Sequence, residues 1–283
     1  MIRCIVSDLD GTLVKTSMNV VDEKTIAYLK QCQKQGMLVI LASGRPLSMM
    51  EDLGEILELD LYGGYLIGHN GYQVLDYKQN KTYESSSLLP KEVVEDVFNF
   101  SKTHLGYLTL ITHKASYNFG SKLVRHVKRL YFYIRLRKTA HGFLREYNDF
   151  KSLNEVQEPI FKIGFASYSR RALVQLQNEM DAVFGDSIEV VRVNSRYIDI
   201  TPKGITKGQA LKTLMDKEGL LPEEVVAFGD AENDVSMFEV VGTAVAMDNA
   251  LDSVKSKADA ITDSNMKNGV LNYLLKAVGH IDE

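Results

Sequence analysis

Residues 2–7, Met37–Ala42, Tyr65–Gly68, Val225–Phe228 and Thr243–Met247 are short and apolar almost throughout. A strand with one wet face alternates apolar and polar residues, whereas one buried on both faces does not. Runs of this kind predict parallel strands covered by helices on either side. Helical segments fall between them as that architecture requires. One covers 22–35, with Asp22 as N-cap and Gly36 as terminator, and another covers 47–58 after Pro46. Further helices are expected at 207–218, capped by Thr206, and at 231–241, 250–257 and 269–278, with a last strand at Ala260–Thr262. The fold class is α/β.

The alternation is interrupted once. Residues 72–84 predict a hairpin turning at Asp76 to Lys81. Beyond it come a helix near 90–103, a mixed stretch to 145, a strand at Phe161–Ala166 and an amphipathic helix at 169–184. A closing hairpin follows at 189–193 and 197–200. Irregular order of this kind marks an α+β unit inserted into the first domain, giving a core of 1–84 and 201–283 and an insert of 85–200. Charge divides the same way: residues 84–200 hold 17 Lys and Arg against 13 Asp and Glu, or +4, leaving −8 for the rest. Lys122, Arg125, Lys128, Arg129, Arg135, Arg137 and Lys138 form a basic run without an acid. It is either a solvated face or a lid that draws anions toward an acidic core.

Composition excludes several classes. The 283 residues, 45% apolar and 25% charged, suffice for a buried core, and the net charge of −4 does not favour non-specific nucleic-acid binding. Cys4 and Cys32 are too few for a disulfide scaffold or an ordinary zinc site and are expected to be buried thiols. The chain enters its first strand at once, and no apolar run reaches membrane-spanning length. A cytoplasmic protein without nucleic-acid or membrane partners is expected, as a monomer or a homodimer.

The strands end in polar side chains. Asp8 and Asp10 follow the first in Asp8-Leu9-Asp10-Gly11-Thr12, Ser43 the second and His69-Asn70 the third. Asp230, with Asn233 and Asp234, follows the strand ending at Phe228. In open parallel sheets ligands bind beyond the carboxyl ends of the strands, so these groups should converge. Lys207 opens a helix whose N-terminal amides favour an anion at the same edge. Singly, each group has an ordinary reading as a turn, a cap or a surface residue. Jointly they suit phosphoryl transfer, because a phosphate monoester dianion needs a divalent cation, hydrogen-bond donors and an ammonium to offset its charge. Mg²⁺ takes hard oxygen ligands and keeps several waters, so the Asp8 and Asp230 carboxylates and the Asp10 carbonyl suffice. Asp8 is placed to attack phosphorus. Asp10 would protonate the leaving oxygen and then take a proton from water, a role favoured by a pKa raised through the like charge of Asp8. Ser43, the Gly44 amide and Lys207 would hold phosphate oxygens.

Asp8-Leu9-Asp10-Gly11-Thr12, Ser43-Gly44-Arg45, Asn70-Gly71, Lys203-Gly204-Ile205-Thr206-Lys207-Gly208 and Gly229-Asp230-Ala231-Glu232-Asn233-Asp234 run in order along the chain, as do Ala246-Met247-Asp248-Asn249-Ala250 and Asn268-Gly269-Val270. With these motifs the sequence resembles the haloacid dehalogenase superfamily, in its Cof-type (class IIB) sugar-phosphatase-like branch. The resemblance implies a Rossmann-like core, a parallel sheet with helices on both faces, carrying an inserted α+β cap domain. It also implies Mg²⁺-dependent hydrolysis of a small phosphorylated metabolite through an aspartyl-phosphate on Asp8. Leu9, Ser43, Gly44, Lys207 and Asn233 would then meet the phosphate, and Asp8, Asp10 and Asp230 the metal. Thr12 and Asp234 would support them, Asp234 by orienting Lys207. Asp248 stands where the family commonly has Gly; Asp tolerates left-handed backbone, so the loop is expected to survive. Two rivals share the pattern, a phosphomutase and a non-catalytic phospho-ligand-binding protein. The choice of substrate is expected to rest with the insert, where the roles of His113, Tyr117, Arg125 and His126 stay open between substrate contact and packing.

Overall fold

The computed structural model describes residues 1–15, 20–121, 126 and 147–279. The seven basic residues of the run lie outside them. The chain folds as two compact units, Met1–Ser85 with Thr206–Glu283, and Ser86–Ile205. In chain order the first unit supplies β1 (Cys4–Ser7), β2 (Leu38–Ala42), β3 (Tyr65–Gly68), β4 (Gln73–Asp76) and β5 (Lys81–Glu84). The second holds β6 (Tyr107–Thr112), β7 (Ser116–Phe119), β8 (Tyr147–Asp149), β9 (Ile160–Ala166), β10 (Ile188–Asn194) and β11 (Tyr197–Pro202). The first then resumes with β12 (Val225–Gly229), β13 (Thr243–Met247) and β14 (Ala260–Thr262).

In the first unit the strands pair in the order β14-β13-β12-β1-β2-β3-β4-β5. Pairing is parallel from β14 to β3, and the hairpin β4–β5 extends the sheet antiparallel. The uninterrupted apolar runs now have their reason. Ile5, Val39, Leu41, Val226 and Phe228 face one core with Tyr28, Leu29, Cys32, Val270 and Leu274 from the helices Glu23–Lys34 and Gly269–Ala277. Their neighbours Cys4, Val6, Ile40, Ala42 and Ala227 face a second core with Leu211, Leu214 and Met215 from the helix Lys207–Glu218. Both faces are dry, and each fully buried aliphatic side chain contributes about 1.5–3 kcal/mol.

Two helices expected from periodicity are each divided into a 3₁₀ turn and a shorter helix. The segment expected at 47–58 is a 3₁₀ turn, Leu47–Met49, and a helix Glu51–Ile56, stopped where Glu58 adopts a left-handed φ of 57°. The segment expected at 231–241 holds a 3₁₀ turn, Glu232–Asp234, and one helical turn, Val235–Phe238. There the Asp234 carboxylate turns back to accept the N–H groups of Asp230 and Ala231, at 2.9 and 3.0 Å, and folds the start of the segment into a loop.

The second unit is a six-stranded sheet in the order β10-β11-β9-β6-β7-β8. Its helices Lys91–Thr103 and Arg170–Phe184 cover one face, packing Val93, Val97, Leu173 and Leu176 against Leu108, Leu110, Ile163, Phe165 and Ile198. By strand alternation the opposite face carries Thr109, Asn118, Lys162 and Asp199, all buried. Lys162 and Asp199 pair at 2.7 Å, and the Asn118 side-chain Oδ1 accepts from the hydroxyls of Tyr107 and Thr109.

Candidate active site

The carboxyl edge of the first sheet gathers most of the residues singled out above. Asp8 leaves β1 buried, and its Oδ1 accepts from the Lys207 ammonium at 2.6 Å. Lys207 is wholly buried as the first residue of its helix, which Thr206 caps by accepting from the Gln209 N–H. The same ammonium donates to Asp234 Oδ1 at 2.7 Å. The Thr12 hydroxyl donates to Asp230 Oδ1 at 2.8 Å, tying the loop after β1 to the loop after β12. Gly11 sits at φ 90°, and a Cβ there would collide with the Asp230 carboxylate, so this position admits only glycine.

A second cluster borders the first. Ser43, buried at the end of β2, accepts the Arg45 N–H on its hydroxyl and the Asn70 N–H on its carbonyl. Asn70 in turn accepts from the Asn233 amide at 3.0 Å. His69 and Asn70 hold consecutive left-handed backbones, φ 49° and 59°, a strained arrangement that aims the Asn70 side chain at Asn233. Gly44 is half-buried between Ser43 and Arg45.

Three placements differ from the sequence reading. The Asp10 side chain does not meet Asp8 as its nearest charge. Both its oxygens accept from the Arg45 guanidinium, at 2.5 and 2.6 Å, while the carboxylate stays half exposed. The side chain that completes the acidic cluster is Asp234, since Asp8, Asp230 and Asp234 each bring a carboxylate oxygen within 4.8 Å of the others. Leu9 is fully buried in the apolar core, so any ligand contact it makes runs through its backbone. Two residues were given no role in the sequence reading, Asn249 within its motif and Asn265 outside any motif. Asn249 donates to the Gly11 carbonyl, and Asn265 donates to the Val14 carbonyl while its own N–H reaches Asn249 Oδ1. Together they brace the loop that carries Asp8 and Asp10.

Burial and crowding set the electrostatics. Burial pushes the Asp8 carboxyl up to about 7, against the opposing pull of Lys207. Burial, then the charges of Asp8 and Asp234, push Asp230 up to about 8. Burial would depress Lys207, but Asp234 and Asp8 outweigh it and hold it firmly protonated. Once all three carboxyls are ionised, they face one ammonium with an excess of two negative charges. Hard oxygen donors with that excess fit a divalent cation, with Asp8 and Asp230 as its carboxylate ligands. Both oxygens of Asp234 are already engaged by Lys207 and by backbone N–H groups.

Residues 5–274 match the haloacid dehalogenase-like hydrolase family. The chain belongs to the haloacid dehalogenase-like hydrolases. It is 28% identical over 99% of its length, and 95% of the relative's, to the Bacillus subtilis 5-amino-6-(5-phospho-D-ribitylamino)uracil phosphatase YcsE. Among solved structures it resembles a haloacid dehalogenase-like hydrolase from Bacteroides thetaiotaomicron, with a TM-score of 0.76 and 26% identity over 98% of this chain and all of the other. Its fold is also that of the subclass IIB sugar phosphatase BT4131, at a TM-score of 0.78, 20% identity, and 98% and 100% coverage.

In this hydrolase the loop with Asp248 does not call on the conformational freedom of glycine. Asp248 has no positive φ; it is exposed, with Lys255 4.0 Å away. The expected tolerance of left-handed backbone is therefore not needed there.

The raised carboxyl groups carry a stability signature. Asp8 and Asp230 bind protons more tightly folded than unfolded, so their contribution is fully present below the ordinary carboxylate range near pH 4. It is lost as pH rises through about 7 to 8. Chelator-treated hydrolase should lose thermal stability across that window. Added Mg²⁺ should raise the unfolding temperature more at pH 8 than at pH 5, because ligands must be deprotonated to bind it. Differential scanning calorimetry at the two pH values checks the sign.

Proposed function

We propose that this hydrolase is a Mg²⁺-dependent phosphatase acting on a small phosphorylated metabolite through an aspartyl-phosphate intermediate. The observation that carries the reading is the buried Asp8 carboxylate, held by Lys207 beside Asp230 in a cluster with excess negative charge. Bound Mg²⁺ would supply positive charge that lets the phosphate dianion approach that cluster. Asp8 then attacks phosphorus, and the bond from phosphorus to the ester oxygen breaks as the new acyl-phosphate bond forms. Asp10 gives its proton to the departing oxygen, later takes one from the water that attacks phosphorus, and Asp8 is released with inorganic phosphate.

The Arg45–Asp10 pair bears on that cycle. A carboxylate bridged by a guanidinium is not an acid, so Asp10 acts only once Arg45 lets go. The incoming phosphate is the competing anion that draws the guanidinium off. Ser43, the Gly44 amide, the Leu9 backbone and Asn233 complete the cradle, and Thr12 and Asp234 hold the acids and Lys207 in place. The second unit serves as a cap that selects the substrate. The named activity of the Bacillus relative makes 5-amino-6-(5-phospho-D-ribitylamino)uracil a first substrate to try, beside sugar phosphates. Phosphate release should be followed across both with Mg²⁺ and with chelator. Release that needs Mg²⁺ and no bisphosphate activator supports a phosphatase. Transfer between sugar hydroxyls without net phosphate release would make the protein a mutase.

A further inference from the structure

The second unit ends in a rigid tip whose chemistry the phosphatase reading does not use. At the end of its sheet opposite Pro202, three connections meet: His104–Gly106, Ser167–Ser169 and Asn194–Arg196. Buried Ser167 binds them together. Its hydroxyl donates to the Leu105 carbonyl at 2.6 Å, its N–H to the Arg196 carbonyl at 3.0 Å, and its oxygen accepts the Ser169 N–H. On this tied platform stand Leu105, 93% exposed, and Tyr168, 87% exposed. Apolar side chains held so far into water on ordered backbone mark a contact surface.

Cations surround them. Arg170, Arg171 and Arg196 are exposed, and among the described residues no carboxylate pairs with any of them. Residues 102–107, 167–178 and 194–198 contain neither Asp nor Glu. Arg170 and Arg171 also open the helix Arg170–Phe184, whose first turn carries no acid. Cations at a helix N-terminus oppose the macrodipole, so the pair is electrostatically misplaced until an anion arrives. The Arg196 guanidinium lies 4.9 Å from the Tyr168 ring centroid and takes one face of the ring from a stacking nucleobase. Leu105 cannot stack at all. A second copy docked tip to tip would set arginine against arginine.

We infer that this tip is a docking surface for an anionic phospholipid membrane, with Leu105 and Tyr168 entering the headgroup layer and Arg170, Arg171 and Arg196 meeting lipid phosphates and carboxylates. Tyrosine is suited to that interface, and each cation close to an anionic leaflet strengthens partition by about fivefold. No helix among the described residues is long and apolar enough to cross a membrane, so the contact is peripheral.

Sedimentation of the full chain with phosphatidylcholine vesicles, with and without about 30% phosphatidylserine, tests this at about 0.1 M salt. The protein should pellet with the anionic vesicles only and release at about 0.5 M salt. Leu105→Ser with Tyr168→Ser, and separately Arg170→Gln with Arg171→Gln and Arg196→Gln, should each weaken binding by at least about tenfold. Both variants should keep the wild-type unfolding temperature and hydrolysis of p-nitrophenyl phosphate. Absence of wild-type binding to anionic vesicles overturns the inference. So does equal binding by folded variants, or binding that prefers an acidic apolar peptide in competition.

Discussion

Asp8→Asn should reduce Mg²⁺-dependent hydrolysis of p-nitrophenyl phosphate by at least about 10⁴-fold, the scale of losing a catalytic nucleophile. The substitution is nearly isosteric, so Oδ1 still accepts from the Lys207 ammonium, which keeps Asp234 as its second partner. It also removes a charge that burial disfavours. The chelated variant should therefore be no less stable than the wild type at pH 8, which separates a chemical defect from a folding one. Steady-state rates and urea unfolding read the two effects independently. A folded variant with wild-type activity would falsify the nucleophile assignment.

Lys207→Met should have the largest effect on stability. The Lys207 side chain is fully buried, and its ammonium is the cation shared by Asp8 and Asp234. Methionine keeps the apolar stem but leaves buried carboxylates without their counter-charge, a loss that typically costs about 3–5 kcal/mol. At roughly 2–4 °C per kcal/mol for a chain of this size, the unfolding temperature in chelator should fall by about 10 °C. The sign with pH follows from the carboxyl groups. Without Lys207 the native state binds protons still more tightly, so the cost should be greatest near pH 8 and shrink toward pH 5 as they protonate. Thermal unfolding at both pH values decides it, and a pH-independent loss would mean that packing rather than charge is what Lys207 supplies.

Much of this site was legible because its residues occupy strand ends. Asp8 follows Cys4–Ser7, Ser43 follows Leu38–Ala42 and Asp230 follows Val225–Gly229. The apolar runs therefore place the polar groups as well as the strands. Lys207 was legible for a related reason: Thr206 marks a helix start, and a helix start puts its first side chains at that edge. Apart from Asp234 on Lys207, which the family resemblance implied, what could not be read was which of these groups grips which. Arg45 takes Asp10 from 35 positions away, and Asn233 reaches Asn70 across 163. Sequence periodicity says which face a residue occupies, but the direction of a long side chain is set by rotamers and neighbours that only the folded chain supplies. In the second unit Lys162 and Asp199 read as ordinary strand residues and proved to be a buried ion pair, because burial of that sheet face depends on what packs over it.

The sequence by itself determined the α/β class, the parallel sheet and the carboxyl edge on which Asp8, Ser43, Lys207 and Asp230 stand, since continuous apolar runs and strand punctuation are local properties. The tertiary structure decided that Asp10 is held by Arg45 and that Asp234 joins the acidic cluster. It also decided that Asn249 and Asn265 brace the loop carrying Asp8 and Asp10 and that Leu105 and Tyr168 share one tip. Each of these is a meeting of side chains or loops far apart in the chain. Such meetings are fixed by strand register and crossover geometry, which no local pattern of residues encodes.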